Sequence, residues 1–275
     1  MTDSDAFEPD QRLEQQATSF GSAADLYERG RPSYPREAVA WLLPEGAQDV
    51  LDLGAGTGKL TRLLVEDVPR VTAVEPSAGM REQLIRAVPG AQVLPGSAER
   101  LPIDGESIDA VLVAQAWHWV DPERAVPEVA RVLRPGGVLG LLWNIRERGA
   151  GWVDELERIM TAASTGSESD LESESPRVGP PFEPIERRDF RWTVDMTPDT
   201  VEAMVASRSY VITLSPADRE SLLGEVRELL RTHPETAGRP TVPMPYVTRC
   251  SRAVLPAQPG RPKLPEQPSR PSLPA

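Results

Sequence analysis

The sequence predicts a doubly wound α/β domain built on a mostly parallel sheet, and three observations carry that prediction. Short apolar runs at 50–53, 71–74, 91–94, 108–114 and 138–143 have the length and continuity of strands covered on both faces. Segments with apolar residues at helical spacing separate them. The first run ends in Gly54, Gly56 and Gly58, one glycine at every second position, which reads as a tight turn from strand into helix.

Composition bounds the rest. A chain of 275 residues can bury the core of one such domain with extensions. Its 42 acidic against 30 basic residues give a net charge of −12, and no long Lys/Arg block offsets it, so nucleic acid is not an expected partner. Cys250 is the single cysteine, lies in an alternating apolar segment, and reads as a small packed side chain in a reducing compartment. The N-terminal MTDSDAFEPD lacks an apolar core and no later run approaches a membrane span, so the expectation is a soluble, cytoplasmic chain with no membrane partner.

In chain order, 1–19 is a polar, charged stretch and reads as a flexible leader. Residues 20–45 form a helical segment interrupted by Pro32 and Pro35, with Tyr27, Arg29, Arg31 and Tyr34 adding donors and rings ahead of a helix at 37–43. The core spans 46–145. Behind the glycine turn a helix at 59–68 carries Leu60, Leu63, Leu64 and Val68 on one face. The second strand ends at Glu75 and Pro76, and Ser77 caps a helix to Val88 with Met80, Leu84, Ile85 and Val88 expected on its apolar face. The fourth strand runs into Gln115, Ala116, Trp117, His118 and Trp119. A helix at 122–133 then meets the stop signal Arg134-Pro135-Gly136-Gly137 before the fifth strand. The C-terminal part, 146–254, contributes helices at 151–163, 197–207 and 216–232, strands at 190–194 and 246–254, and an acidic, Pro-containing loop at 164–181. Residues 255–275 read as an extended Pro-rich tail.

The glycine pattern discriminates between ligands. A nicotinamide-dinucleotide turn needs G-x-G-x-x-G/A and so a small residue at position 59, where Lys59 stands. The spacing before Lys59 is not that of a phosphate-binding G-x-x-x-x-G-K-[ST] loop either. Glu75 lies 21 positions beyond Gly54, near the separation at which an acid on the tip of a second strand meets a ribose hydroxyl. The turn therefore suits a nucleoside carrying something smaller than a diphosphate. Asp52 either borders that ligand or orients the loop.

These motifs resemble, in order, those of the class I S-adenosylmethionine-dependent methyltransferases, especially their small-molecule branch with trans-aconitate and quinone-pathway enzymes. VLDLGAGTGKL, VEPSAGM, GSAERLP, AVLVAQAWHW and VLRPGGVL carry the likeness between about Tyr27 and Trp143. The resemblance implies a Rossmann-like fold with a seven-stranded sheet and helices on both faces, S-adenosylmethionine as cofactor, and methyl transfer to a small-molecule acceptor, on oxygen or carbon, with a carboxylate or hydroxyl possible. It further implies that Asp52, Gly54 and Gly56 border the methionine part, that Glu75 accepts the ribose hydroxyls beside Pro76, and that Ser97 and Ala98 touch the adenine edge. Gln115 falls beside the ribose or sulfonium. Many relatives have Asp where Ser97 stands, and serine is the weaker acceptor. Residues 20–45 become a lid in which Tyr27 and Arg31 contact the cofactor, Arg31 through the methionine carboxylate.

An activated sulfonium asks little of side chains beyond alignment, and a base matters only for a hydroxyl or carbon acid. His118, just past the tip of the fourth strand, is the candidate base; the competing reading packs it between Trp117 and Trp119. His233 reads as a helix cap, and no metal is expected. A non-catalytic S-adenosylmethionine-binding or regulatory protein on the same fold is the rival function.

Overall fold

The computed structural model describes residues 28–149, 151–163 and 176–257. Tyr27, the leader 1–19, most of the acidic loop and the tail beyond 257 lie outside the described residues. Seven strands make one sheet: β1 (Asp49–Leu53), β2 (Arg70–Val74), β3 (Gln92–Leu94), β4 (Ile108–Ala114), β5 (Leu133–Arg146), β6 (Glu186–Met196) and β7 (Val242–Val254), in the spatial order β3-β2-β1-β4-β5-β7-β6. The first five pair in parallel, β7 enters antiparallel beside β5, and β6 closes the edge antiparallel to β7. The order reverses between β1 and β4, so the connections leave these neighbours in opposite directions and open a crevice at their C-terminal ends.

Alternation along the central strands explains why both faces are covered. Leu51, Leu53, Val111, Val113, Leu139 and Leu141 face one layer with Ala125, Val126, Val129 and Val132 of α4 (Pro122–Val132). Val50, Ala110, Leu112, Val138 and Leu142 face the other, packing with Ala38, Val39 and Leu42 of α1 (Arg36–Leu42) and Leu60 and Leu64 of α2 (Lys59–Asp67). A separate apolar cluster joins α5 (Gly151–Ala163), α6 (Pro198–Ala206) and α8 (Pro216–Thr232) to Met196, Val242, Met244 and Tyr246 on the outer strands. The short α7 (Ser209–Ile212) follows α6 directly.

Several boundaries differ from those the sequence suggests, each for a local reason. The fifth strand begins at Leu133, paired with Ile108, and the ladder shifts before Val138 pairs with Ala110. The expected stop signal is thus an irregularity inside the strand, with Gly136 at φ 83°. Arg134 anchors it by pairing with Asp109 at 2.7 Å and Asp49 at 3.0 Å. The strand β7 starts at Val242 despite Pro243 and Pro245, because the 242–245 stretch pairs with β6 alone and proline is tolerated where one side of a strand needs no ladder bonds. In α3 (Ala78–Ala87) Met80 and Leu84 are buried but Ile85 is 54% exposed: it sits one residue around from a narrow buried stripe. The Ser77 hydroxyl does accept the Met80 N–H, as a cap should. Cys250 is fully buried, and burial pushes its thiol up to about 12, so it is an inert packing group. Among the described residues no helix is long and apolar enough to cross a membrane.

Gly140 shows how closely α1 lies on the sheet. A Cβ there would come within 2.5 Å of Leu112 Cδ2 and 3.1 Å of Leu42 Cβ. Gly140→Val should therefore lower stability by about 1–3 kcal/mol through overpacking, read as a reduced urea midpoint; an unchanged midpoint would mean that α1 is not seated against β5.

Candidate active site

The crevice at the ends of β1, β2 and β4 is built from backbone turns that a buried carboxylate ties together. Beyond β1 the chain passes through Gly54, Gly56 and Gly58 at φ 71°, 57° and 89°, a region that L side chains avoid. The N–H groups of Gly54 and Ala55 both donate to the Val74 carbonyl, 2.8 and 3.2 Å away. Glu75, at the tip of β2, accepts the Gly56 N–H on Oε2 and the Ser77 N–H on Oε1, both at 2.9 Å. Its carboxylate thus bridges the first and second turns. Burial raises its pKa, and the two backbone N–H bonds oppose that rise. Arg81 closes the second turn by donating to the carbonyls of Glu75 and Pro76.

Asp52 lies below the glycine turn with no exposure. Its Oδ2 accepts the Thr61 hydroxyl at 2.6 Å, while Oδ1 has no hydrogen-bond partner among the described residues. Burial, reinforced by the nearby Glu75 charge against the Thr61 bond, pushes its pKa up to about 7. From the far side of the crevice, Gln115 takes a left-handed conformation, φ 59°, and its Nε2 donates to the Asn144 carbonyl at 3.3 Å. A Cβ on Gly54 would meet Ala116 Cβ at 2.9 Å, so the β1 and β4 turns approach as closely as a glycine permits. Ser97 forms a bridge with Arg100, and Ala98 beside it turns its methyl into the core.

His118 sits in a short 3₁₀ turn, Trp117–Trp119, with its ring tilted against Trp119 at 4.7 Å. Trp117 is buried and donates its indole N–H to the Arg177 carbonyl. His118 thus packs on Trp119, one of the two flanking tryptophans. His233, just past α8, accepts the Glu235 N–H on Nδ1 and so caps the next turn.

The segment ahead of α1 covers the crevice. Glu28 accepts the Thr57 hydroxyl at 2.6 Å and pairs with Arg62 at 2.8 Å, and its carbonyl accepts the Lys59 ammonium at 2.7 Å. Burial lowers the Lys59 pKa, and the Glu28 charge works against that fall. Arg31 donates to the hydroxyl and carbonyl of Ser207, and Asn144 Nδ2 donates to the Ser33 carbonyl. A Cβ on Gly30 would lie 2.4 Å from backbone atoms of Ala203 and Met204, so the segment touches α6 main chain to main chain. Between this cover and the sheet is a narrow cleft. Arg31, Pro32 and Tyr34 line it from above, Lys59 and Gln115 from the core, and Asn144, Arg208 and Tyr246 from the C-terminal part. His118 is not among these lining residues.

The structure thus brings Asp52, Gly54, Gly56, Glu75, Pro76 and Gln115 to one crevice and Arg31 to its cover. Glu28, Asn144, Arg208 and Tyr246 were not expected at the site. Asn144 had one readable signal, a polar residue directly after the apolar run of the fifth strand; the others had none. Among the described residues no cluster of His, Cys, Asp and Glu could hold a metal ion.

The family model described as a methyltransferase domain matches residues 51–141, from β1 into β5. An uncharacterized methyltransferase of Mycobacterium tuberculosis is 53% identical over 237 residues, which cover 86% of this chain and 96% of that relative. The chain belongs to the class I S-adenosylmethionine-dependent methyltransferases. A methyltransferase-like protein of Schizosaccharomyces pombe is 30% identical over 229 residues, covering 81% of this chain and 90% of the relative. A solved chain of Anaeromyxobacter dehalogenans, provisionally assigned as a type II methyltransferase, is 25% identical with a TM-score of 0.68 over 83% of this methyltransferase and 99% of its own length. The malonyl-[acyl-carrier protein] O-methyltransferase of Methylococcus capsulatus is 40% identical over 134 residues, 44% of this chain and 48% of that enzyme.

The raised pKa of Asp52 has a testable sign. The folded chain holds this proton to about pH 7, whereas an unperturbed aspartate loses it near 3.8. Between those values the folded state binds more protons than the unfolded one, so stability falls as pH rises through the window. Glu75, also raised, acts in the same direction. In the ligand-free protein, urea midpoints of wild type and Asp52→Asn should lie closest near pH 4 and separate steadily as the pH rises towards 7, the variant gaining up to a few kcal/mol. Parallel profiles would show an ordinary aspartate.

Proposed function

We propose that this methyltransferase holds S-adenosylmethionine across the ends of β1, β2 and β4 and directs its methyl group to a small-molecule acceptor in the cleft under the cover. The observation that carries this reading is the Glu75 carboxylate. Each of its oxygens is already fixed by one backbone N–H, which leaves further lone pairs in a preset direction for two vicinal hydroxyls. Two further features fit the same cofactor. The close approach at Gly54 leaves bare backbone where a ligand can lie, and the buried Asp52 Oδ1 lacks a donor.

In this reading Glu75 and Pro76 take the ribose, and Ser97 and Ala98 take the adenine edge. Asp52, Gly54 and Gly56 border the methionine part, Gln115 lies beside the ribose or sulfonium, and Arg31 approaches from the cover; Tyr27, outside the described residues, is assigned to the cofactor by the resemblance alone. The bound cofactor supplies a methyl group on a sulfonium that is already a good leaving group. The chain's own residues then align acceptor, methyl and sulfur and keep water out, which is enough for a large acceleration. Transfer to oxygen is favoured by the partial likeness to an O-methyltransferase. The narrower likeness to trans-aconitate and quinone-pathway enzymes rests on motif order alone. A cytoplasmic setting fits the acidic composition and the single buried cysteine.

Glu75→Ala should weaken S-adenosylmethionine binding by at least about tenfold in calorimetry, the loss of two charge-assisted bonds; unchanged affinity would sink the cofactor assignment. Because His118 packs on Trp119 away from the cleft lining, His118→Ala should leave kcat within about threefold. A fall of about a hundredfold or more, the scale of a lost general base, would return it to the chemistry.

A further inference from the structure

Three side chains on three neighbouring strands pass one hydrogen bond each from the sheet edge to the cover. Trp192 on β6 donates its indole N–H to the Thr248 hydroxyl at 2.9 Å, Thr248 on β7 donates to Asn144 Oδ1 at 2.6 Å, and Asn144 on β5 donates from Nδ2 to the Ser33 carbonyl at 2.9 Å. The register puts Thr248 opposite Asn144, and Trp192 opposite Tyr246, on whose ring it stacks at 5.5 Å. Thr248 has no exposure and Asn144 only 4%, so bulk water does not compete for either.

The direction of this relay is fixed at both ends. An indole nitrogen can only donate, and a main-chain carbonyl can only accept. The Thr248 oxygen therefore receives the Trp192 hydrogen and spends its own on Asn144 Oδ1, which turns the amide nitrogen of Asn144 toward Ser33. A reversed amide would set Oδ1 against the Ser33 carbonyl and aim Nδ2 at a hydroxyl that already receives a hydrogen. Asn144 also lines the cleft, and its own carbonyl accepts Gln115 Nε2 at 3.3 Å. One residue thus holds both the cover and a wall of the site.

We propose that Thr248 and Trp192 are positioning residues for methyl transfer: they preset the Asn144 amide and, through Ser33, seat the cover over S-adenosylmethionine. The inference rests on the cofactor reading above. Neither residue lines the cleft, and both lie outside the residues 51–141 that match the methyltransferase domain, on the two strands added beyond β5. They act on the site only through Asn144. Loss of one net hydrogen bond from such a relay changes the seating of the cover by a factor of about five.

Trypsin reports on the cover directly. Arg29 is exposed, but Gly30 is buried against the main chain of α6, so the Arg29–Gly30 bond is cut only when the cover comes away. In the full, ligand-free chain, initial cleavage there should rise about fivefold or more in Thr248→Val. In Trp192→Phe, which keeps a ring on Tyr246, it should rise about threefold or more, while cleavage after Arg249 inside β7 stays at the wild-type rate in both. Calorimetry should find S-adenosylhomocysteine bound at least about threefold more weakly by either variant. Thr248→Ser, which keeps the hydroxyl, should return cleavage and affinity to within about twofold of wild type. Unchanged cleavage after Arg29 in Thr248→Val overturns the proposal. So does Thr248→Ser as damaging as Thr248→Val, which would give Thr248 a packing role, and so does a parallel rise after Arg249, the mark of general loosening. Faster cleavage with unchanged S-adenosylhomocysteine affinity overturns it as well, by separating the cover from the cofactor. Should Thr248→Val fail to fold, Trp192→Phe decides alone. Should S-adenosylhomocysteine not bind the wild type, the cofactor reading fails, and the cleavage contrast still decides whether the relay holds the cover.

Discussion

Two parallel strands that end side by side leave two turns with nothing to hold them in register, and here a single carboxylate does so. Glu75 takes one N–H from the glycine turn and one from the turn after β2, while the Val74 carbonyl receives two more from the glycine turn. The cost is a carboxylate buried to 7% exposure beside a second one, Asp52, with none. Two acids so close cannot both ionise easily without compensating donors, and the protein supplies backbone N–H groups to Glu75 but only one hydroxyl to Asp52. With the poorer supply, Asp52 is pushed up to about 7. An apo site with an unsatisfied acid is less stable than it could be, a pattern common where a ligand later provides the missing partner.

Much of this crevice was legible in the sequence because its parts are local. A strand, a turn and a helix follow one another within a few residues, and the glycines and Glu75 announce themselves by spacing alone. The same locality predicted the five parallel strands, whose alternation buries both faces. What the sequence did not disclose depends on pairing at long range. The cleft wall of Asn144, Arg208 and Tyr246 exists only because β7 inserts antiparallel beside β5 and carries Tyr246 opposite Arg146. Glu28 reaches the glycine turn across a separation of 29 residues to Thr57, in a stretch whose pattern suggested only a surface helix cap. The start of β5 at Leu133 was hidden by a Pro-Gly-Gly stop signal that the sheet absorbs as a local shift.

The outer strands show a different relation between pattern and structure. Glu186–Asp189 is exposed and charged as an edge should be, which discourages pairing with a second sheet. Inside that edge, Trp192 stacks on Tyr246 at 5.5 Å and donates its N–H to Thr248, whose hydroxyl in turn reaches Asn144. A short hydrogen-bonded chain thus runs from the edge strand to the residue that grips the Ser33 carbonyl of the cover. The half-buried tryptophan is a strut for the cleft floor, and not a contact awaiting a partner.

The main-chain contact at Gly30 also couples two parts of the chain far apart in sequence. The cover lies backbone to backbone on the end of α6, and Arg208 follows that helix by two residues. No side chain larger than hydrogen fits at position 30 without moving the cover, the helix or both, so this one residue sets how closely the N-terminal segment and the C-terminal part approach.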